Sequence, residues 1–276
     1  MNPLRHRFIN SCLNSQADPP LILPTTPLAQ SSLAGRLAQS QGQEQEQGGQ
    51  KQEQGLRYLD VGCGGGIFAE SAARMPGVSE VTGIDPSGEV LAVAKEHARR
   101  DPGLSGRLRY LNCGIEELPT HIQRREDSIG KETATDAAAS TSTTATAGGA
   151  YDIVSLWEVL EHVHSPTSFL DILTPHVRPG GWFVMSTIAR TWTSWFTTKL
   201  VAEDIMGIVP QGTHDWNKYI NEPEVRRYFE MKEGWESPRC MGVLYVPGVG
   251  WREARGGEAW GNYLWGIRRS PLREAA

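Results

Sequence analysis

Tyr58-Leu59-Asp60-Val61-Gly62-Cys63-Gly64-Gly65-Gly66 carries a short apolar run straight into a cluster of glycines. Glycine tolerates positive φ and leaves no Cβ between backbone N–H groups and a ligand. The stretch therefore reads as a strand ending in a loop that approaches a nucleotide-type cofactor. Ile67 to Arg74 predicts a helix whose positive N-terminal end faces the same spot. A second apolar run, Glu80-Val81-Thr82-Gly83-Ile84, ends on Asp85. That acid falls about twenty residues after Gly62, where a doubly wound fold places the carboxylate for ribose hydroxyls.

Asp60 separates the two cofactor classes that share this geometry. A pyrophosphate would meet like charge from an acid two residues before the first glycine, which disfavours a nicotinamide dinucleotide. S-adenosylmethionine carries an ammonium group, a sulfonium and a ribose but no phosphate, and it suits Asp60, Gly62, Gly64 and Asp85 better. A dehydrogenase and a purely structural turn are the competing readings.

The chain has 276 residues, a formal net charge of -5 and 39% hydrophobic residues, enough for one α/β domain with a sizeable core. The mild acidity, with no long basic run, argues against a nucleic-acid partner and for a small-molecule substrate. Cys12, Cys63, Cys113 and Cys240 lie far apart without C-x-x-C spacing. That spacing predicts neither a zinc site nor a disulfide framework, and points to a reducing compartment. No apolar run reaches spanning length, which leaves peripheral membrane contact open.

Along the chain, residues 1–10 form a short basic segment whose composition allows the stub of a targeting peptide, though such a stub is normally longer and richer in serine. Residues 11–55 shift to Pro, Ser, Gln and Gly and predict a disordered insertion. The remaining 56–276 predict the catalytic domain, with a disordered loop at about 120–150 that includes the Thr/Ala/Ser tract from Lys131 to Ala150. Gly88 to Arg100 predicts a helix capped by Ser87, and Leu108 to Cys113 a third strand. The turn after it holds Glu116, which either contacts an adenine or is solvated. Tyr151 to Trp157 predicts the central fourth strand at the switch point of the sheet. A helix from Ser165 to Val177 and a fifth strand from Trp182 to Thr187 follow. Strands apolar on both faces, alternating with helices, indicate a mostly parallel sheet covered on both sides. From Arg190 to Val209, aromatic and aliphatic residues recur at roughly helical spacing, with core packing and a membrane-docking substrate cover as the two readings.

Glu158, Glu161 and His162 stand at i, i+3 and i+4 beyond the fourth strand. A helix starting there would place two carboxylates and an imidazole on one face, a donor set suited to Mg²⁺ or another divalent cation. A capped helix start with a packed histidine is the structural alternative.

Asp60 to Gly66, Val81 to Asp85, Glu158 to Val163, Ser186 to Trp192 and Gly212-Thr213-His214-Asp215-Trp216 together resemble the ubiquinone-biosynthesis O-methyltransferases. Asn2 to Arg5 resembles that family's N-terminal motif. The glycine loop is common to many methyltransferases; the Glu158-to-His162 motif and the Gly-Thr-His-Asp-Trp run are more specific. The resemblance implies a Rossmann-like class I methyltransferase with a mostly parallel seven-stranded sheet. It implies S-adenosylmethionine contacts from Arg5, Gly62, Asp85 and Trp157, and a divalent ion, Mg²⁺, on Glu158, Glu161 and His162. The ion would chelate adjacent catechol oxygens and lower their pKa from ~10, with His214 as a secondary candidate base. The implied substrates are polyprenylated catechols. The implied setting is the matrix face of the mitochondrial inner membrane, among other subunits of a quinone-synthesis complex. A mitochondrial member would carry a transit peptide ahead of Asn2, and the chain shows none. The alternatives are a class I methyltransferase with another small substrate and a non-catalytic subunit of such a complex.

Overall fold

The computed structural model describes residues 1–14, 55–122, 151–190, 219–246, 248–259 and 261–271. The predicted 11–55 insertion, apart from its ends, lies outside these residues, as do the Lys131–Ala150 tract, the run from 191 to 209, and His214.

Eight strands form one sheet in the order β3-β2-β1-β4-β5-β8-β6-β7. They are β1 (Leu56–Val61), β2 (Val78–Asp85), β3 (Leu108–Asn112), β4 (Tyr151–Trp157), β5 (Val177–Ile188), β6 (Trp235–Val246), β7 (Gly250–Glu253) and β8 (Asn262–Arg269). The half from β3 to β5 is parallel, while β8, β6 and β7 run antiparallel to their neighbours. The expected seven strands thus gain an eighth, because Gly248 and Gly250, both at positive φ, let β6 fold back as an edge hairpin.

Every residue of β4 is buried, as expected of the central strand of a sheet covered on both faces. One face packs under α1 (Asn2–Asn14), α2 (Ile67–Ala73) and α3 (Gly88–Ala98), which contribute Phe8, Phe68 and Leu91 to its core. The other packs under α4 (Pro166–Leu173) and α5 (Glu222–Glu230), with Leu170 and Phe229. Ser87 caps α3 by accepting from the Val90 N–H. Among the described residues no helix is long and apolar enough to cross a membrane.

Two expectations shift. The N-terminal segment is no loose stub: its helix runs to Asn14 and buries Leu4, Phe8, Ile9 and Cys12. Gly266 on β8 makes this possible, since a Cβ there would press on Phe8, Val184 and Cys12. The helix expected to reach Val177 stops at Leu173 and tightens into a 3-10 turn, Thr174–His176, because Pro175 breaks the α ladder.

Gly66 opens α2 at φ 78°, and a side chain there would run into the Tyr110 ring and hydroxyl. Gly66→Ala is therefore expected to lower unfolding free energy by about 2 kcal/mol, from left-handed strain plus the clash. Urea titration followed by circular dichroism checks it.

Candidate active site

The carboxyl ends of β1, β2 and β4 meet where the strand order reverses, the usual ligand crevice of such sheets. The glycine loop is tied down from below. The N–H groups of Gly62 and Cys63 both donate to the Ile84 carbonyl, at 2.9 and 3.0 Å. Asp85 accepts from the Gly64 N–H through Oδ2 and from the Ser87 N–H through Oδ1, both at 2.9 Å. Gly62, Gly64 and Gly66 all adopt positive φ. A Cβ on Gly65 would meet nothing within 4 Å, and one on Gly64 only Val90 at 4.0 Å. The loop is thus an open cradle at its crest and a packed turn at its base.

Asp60 lies beneath this cradle, 1% exposed. It pairs in register with Ser155 of β4, so the two side chains emerge together, and the Ser155 hydroxyl donates to Oδ1 at 2.7 Å. Burial pushes the Asp60 carboxyl up to about 7; the Ser155 hydrogen bond and the Arg5 charge oppose that rise, and the Asp85 charge adds to it.

Arg5 reaches the site from α1. Its guanidinium lies 5.0 Å from the centre of the Trp157 ring and donates to Glu158 Oε1 at 2.9 Å. Arg5 Nε and Trp157 Nε1 are buried without a hydrogen-bond partner. The anchoring of α1 explains how residue 5 arrives there. Asn2 donates to the Ile67 carbonyl at 3.1 Å, His6 Nε2 sits 2.7 Å from Ser71 Oγ, and the His6 ring stacks on Phe68.

The segment after β4 departs from the sequence reading. Glu158, Glu161 and His162 do not lie on one helical face. Glu158 sits at φ 58° with its N–H bonded to the Ser186 carbonyl, and only a 3-10 turn, Leu160–His162, follows. The strand end thus fixes Glu158 outside any helix. The carboxylates point apart, Glu158 toward Arg5 and Glu161 into the core, and His162 is exposed. Glu161 is 5% exposed and accepts from the Thr187 hydroxyl at 2.9 Å. Burial, with the Glu158 charge adding, pushes its carboxyl up to about 7 against the Thr187 bond. Among the described residues no three His, Cys, Asp or Glu side chains gather to hold a metal ion. As placed, the set does not fit a three-ligand centre. Glu116 is exposed.

Beyond this turn a cavity of about 360 Å³ opens between α4 and α5, lined by Leu160, Val163, Leu170, Ile220, Val225 and Tyr228 among others. The sequence reading assigns no role to Ser155 or Thr187, the partners of the two buried carboxyls; hydroxyls inside otherwise apolar strands are the signal that marks such positions.

A family model described as a methyltransferase domain matches residues 35–235. The mitochondrial ubiquinone biosynthesis O-methyltransferase of Candida albicans is 34% identical over 281 residues, covering 98% of this chain and 77% of its own. The chain belongs to the ubiquinone biosynthesis O-methyltransferase family. A bacterial relative of that name, from Methylobacterium sp., is 35% identical over 202 residues, 73% of this chain and 68% of its own. That of Schizosaccharomyces pombe, named mitochondrial, is 37% identical over 195 residues, 70% of this chain and 60% of its own. The protein is an S-adenosylmethionine-dependent methyltransferase. Its residues fit that cofactor: the cradle is open above Gly64 and Gly65, and two buried donors, Arg5 Nε and Trp157 Nε1, stand beside it without partners.

The two raised carboxyls make the enzyme's stability depend on pH. Asp60 and Glu161, ordinarily at 3.8 and 4.5 and here at about 7, bind protons more tightly folded than unfolded. Their contribution is complete below about pH 4 and is lost as the pH rises through about 7. The ligand-free enzyme is expected to melt at a lower temperature at pH 8 than at pH 5.5, with a smaller drop in Asp60→Asn. Calorimetric melts across that range check both.

Proposed function

We propose that the enzyme methylates a catechol hydroxyl of polyprenylated intermediates in ubiquinone synthesis, such as a 3,4-dihydroxy-5-polyprenylbenzoate and demethylubiquinol. The names of the relatives support the acceptor, and the observation that carries the donor is the grouping of Asp60, Asp85 and Arg5 around an open glycine cradle. Those charges complement a ligand bearing an ammonium, a carboxylate and a ribose. Arg5 would hold the carboxylate of the methyl donor, Asp60 its ammonium, and Asp85 with the backbone of Gly62 and Gly64 its ribose end. The wall formed by Trp157 against Phe68, ring centres 5.0 Å apart, keeps water from the α1 side.

S-adenosylmethionine supplies a methyl group from its sulfonium, which leaves as a neutral thioether while the acceptor oxygen becomes a methyl ether. The chain must then take the phenol proton. Glu161 is the candidate: it stands in the turn past β4 beside Leu160, which lines the neighbouring cavity, and burial holds its carboxyl near neutrality, where a general base is most effective. The apolar cavity past Leu160 and Val163 lies next in line and would take the first units of the prenyl tail. Mg²⁺ is the finer expectation for Glu158, Glu161 and His162, whose two carboxylates point apart here, one to Arg5 and one to Thr187.

The fungal relatives named mitochondrial support placing the enzyme in that organelle. A peripheral position on the matrix face of the inner membrane, beside other subunits of the same route, goes with that proposal.

Purified enzyme with labelled S-adenosylmethionine and a short-tailed prenyl catechol should give a product heavier by one methylene; no transfer to any prenyl catechol would overturn the reading. Glu161→Gln is expected to lower kcat roughly 10²- to 10⁴-fold, to remove the limb of the pH profile near 7, and to leave affinity for S-adenosylhomocysteine nearly unchanged. Asp85→Ala should weaken that affinity by about 1 to 3 kcal/mol, read by calorimetry.

A further inference from the structure

We propose that the Arg5–Glu158 ion pair is a latch: the carboxylate of the methyl donor takes Arg5 away from Glu158, so that donor binding releases Glu158 toward the acceptor side of the site. The inference rests on the reading of Arg5 as the donor's carboxylate partner. It goes further by making one guanidinium answer to two anions in turn.

The geometry leads there in three steps. Arg5 is anchored and Glu158 is not: their side chains are 13% and 43% exposed, and α1 is pinned through Asn2, His6 and its buried apolar face. The guanidinium is also only partly engaged. One nitrogen holds Glu158 at 2.9 Å, a second reaches Asn2 Oδ1 at 3.4 Å, and Nε has no partner. A buried guanidinium with an idle edge favours a better-placed anion over a half-exposed carboxylate. Finally, the Glu158 backbone is fixed by its N–H bond to Ser186, so what Arg5 releases is the side chain alone. With Arg5 on the donor's carboxylate, the half-exposed Glu158 side chain can turn toward the acceptor side, where Glu161 stands.

If ligand and Glu158 compete for Arg5, removing the competitor helps the ligand, and the two effects are linked through one residue. Titration calorimetry with S-adenosylhomocysteine on wild type, Glu158→Gln, Arg5→Ala and the double variant tests it, with thermal melts confirming that each is folded. Glu158→Gln is expected to bind roughly two- to fivefold tighter than wild type, the scale of a half-exposed ion pair. Glu158→Asp, which keeps the charge but shortens the reach, should tighten it too, and serves if the glutamine variant fails to fold. Arg5→Ala should bind at least roughly tenfold weaker, and the gain from Glu158→Gln should vanish in its background. A purely structural pair predicts no tightening. If Glu158→Gln and Glu158→Asp bind as wild type does or more weakly while Arg5→Ala binds poorly, Arg5 holds both anions at once and the latch is wrong, with the donor-site reading intact. Unchanged affinity in Arg5→Ala would overturn that reading and the latch with it.

Discussion

The parallel pairing of β1 with β4 sets Asp60 beside Ser155 in the middle of the sheet, and the organisation of the site follows from that placement. A carboxyl shut away from water is costly unless something answers its charge. Ser155 supplies one hydrogen bond, and Arg5 supplies a positive charge from the helix lying over that face. The site therefore needs three distant parts of the chain at once: β1, the strand nearly a hundred residues later in sequence, and the N-terminal helix.

That helix does its work by being held. Its apolar face is sunk into the core over Gly266, and polar contacts at Asn2, His6 and Arg7 fix its rotation and tilt. An arginine on a free tail would lose much conformational freedom on meeting a ligand. Arg5, already packed on the Trp157 ring, loses little of it. The same packing leaves its Nε and the Trp157 indole N–H without partners, the condition in which a polar group gains most from a ligand.

The turn after β4 shows how the sheet directs side chains that a helix would have aligned. Ser186 and Thr187 are successive residues of β5. One fixes the Glu158 backbone through its carbonyl, and the other fixes the Glu161 carboxyl through its hydroxyl. The left-handed backbone at Glu158 is of the kind that persists only where surroundings over-determine it. Two acids three residues apart thus occupy opposite environments, one half-exposed and ion-paired, the other buried and held near neutrality.

Much of this was legible in the chain itself. The apolar run into Gly62, Gly64 and Gly66, with Asp85 at the end of the next run, determined the strand, loop and crevice, because glycine at positive φ and an acid at a strand end are local requirements that local sequence must satisfy. The motif from Glu158 to His162 stands just past the end of β4. Its geometry was not legible: spacing of i, i+3 and i+4 implies a common face only if the backbone is helical, and here the Glu158 N–H, donating to the Ser186 carbonyl of β5, decided otherwise. The tertiary structure alone brought Arg5 to Glu158 across 153 positions, buried Asp60 against Ser155, and turned Glu161 to Thr187. Those contacts depend on strand order and on where a helix docks, and both are settled by packing between segments that no local pattern connects.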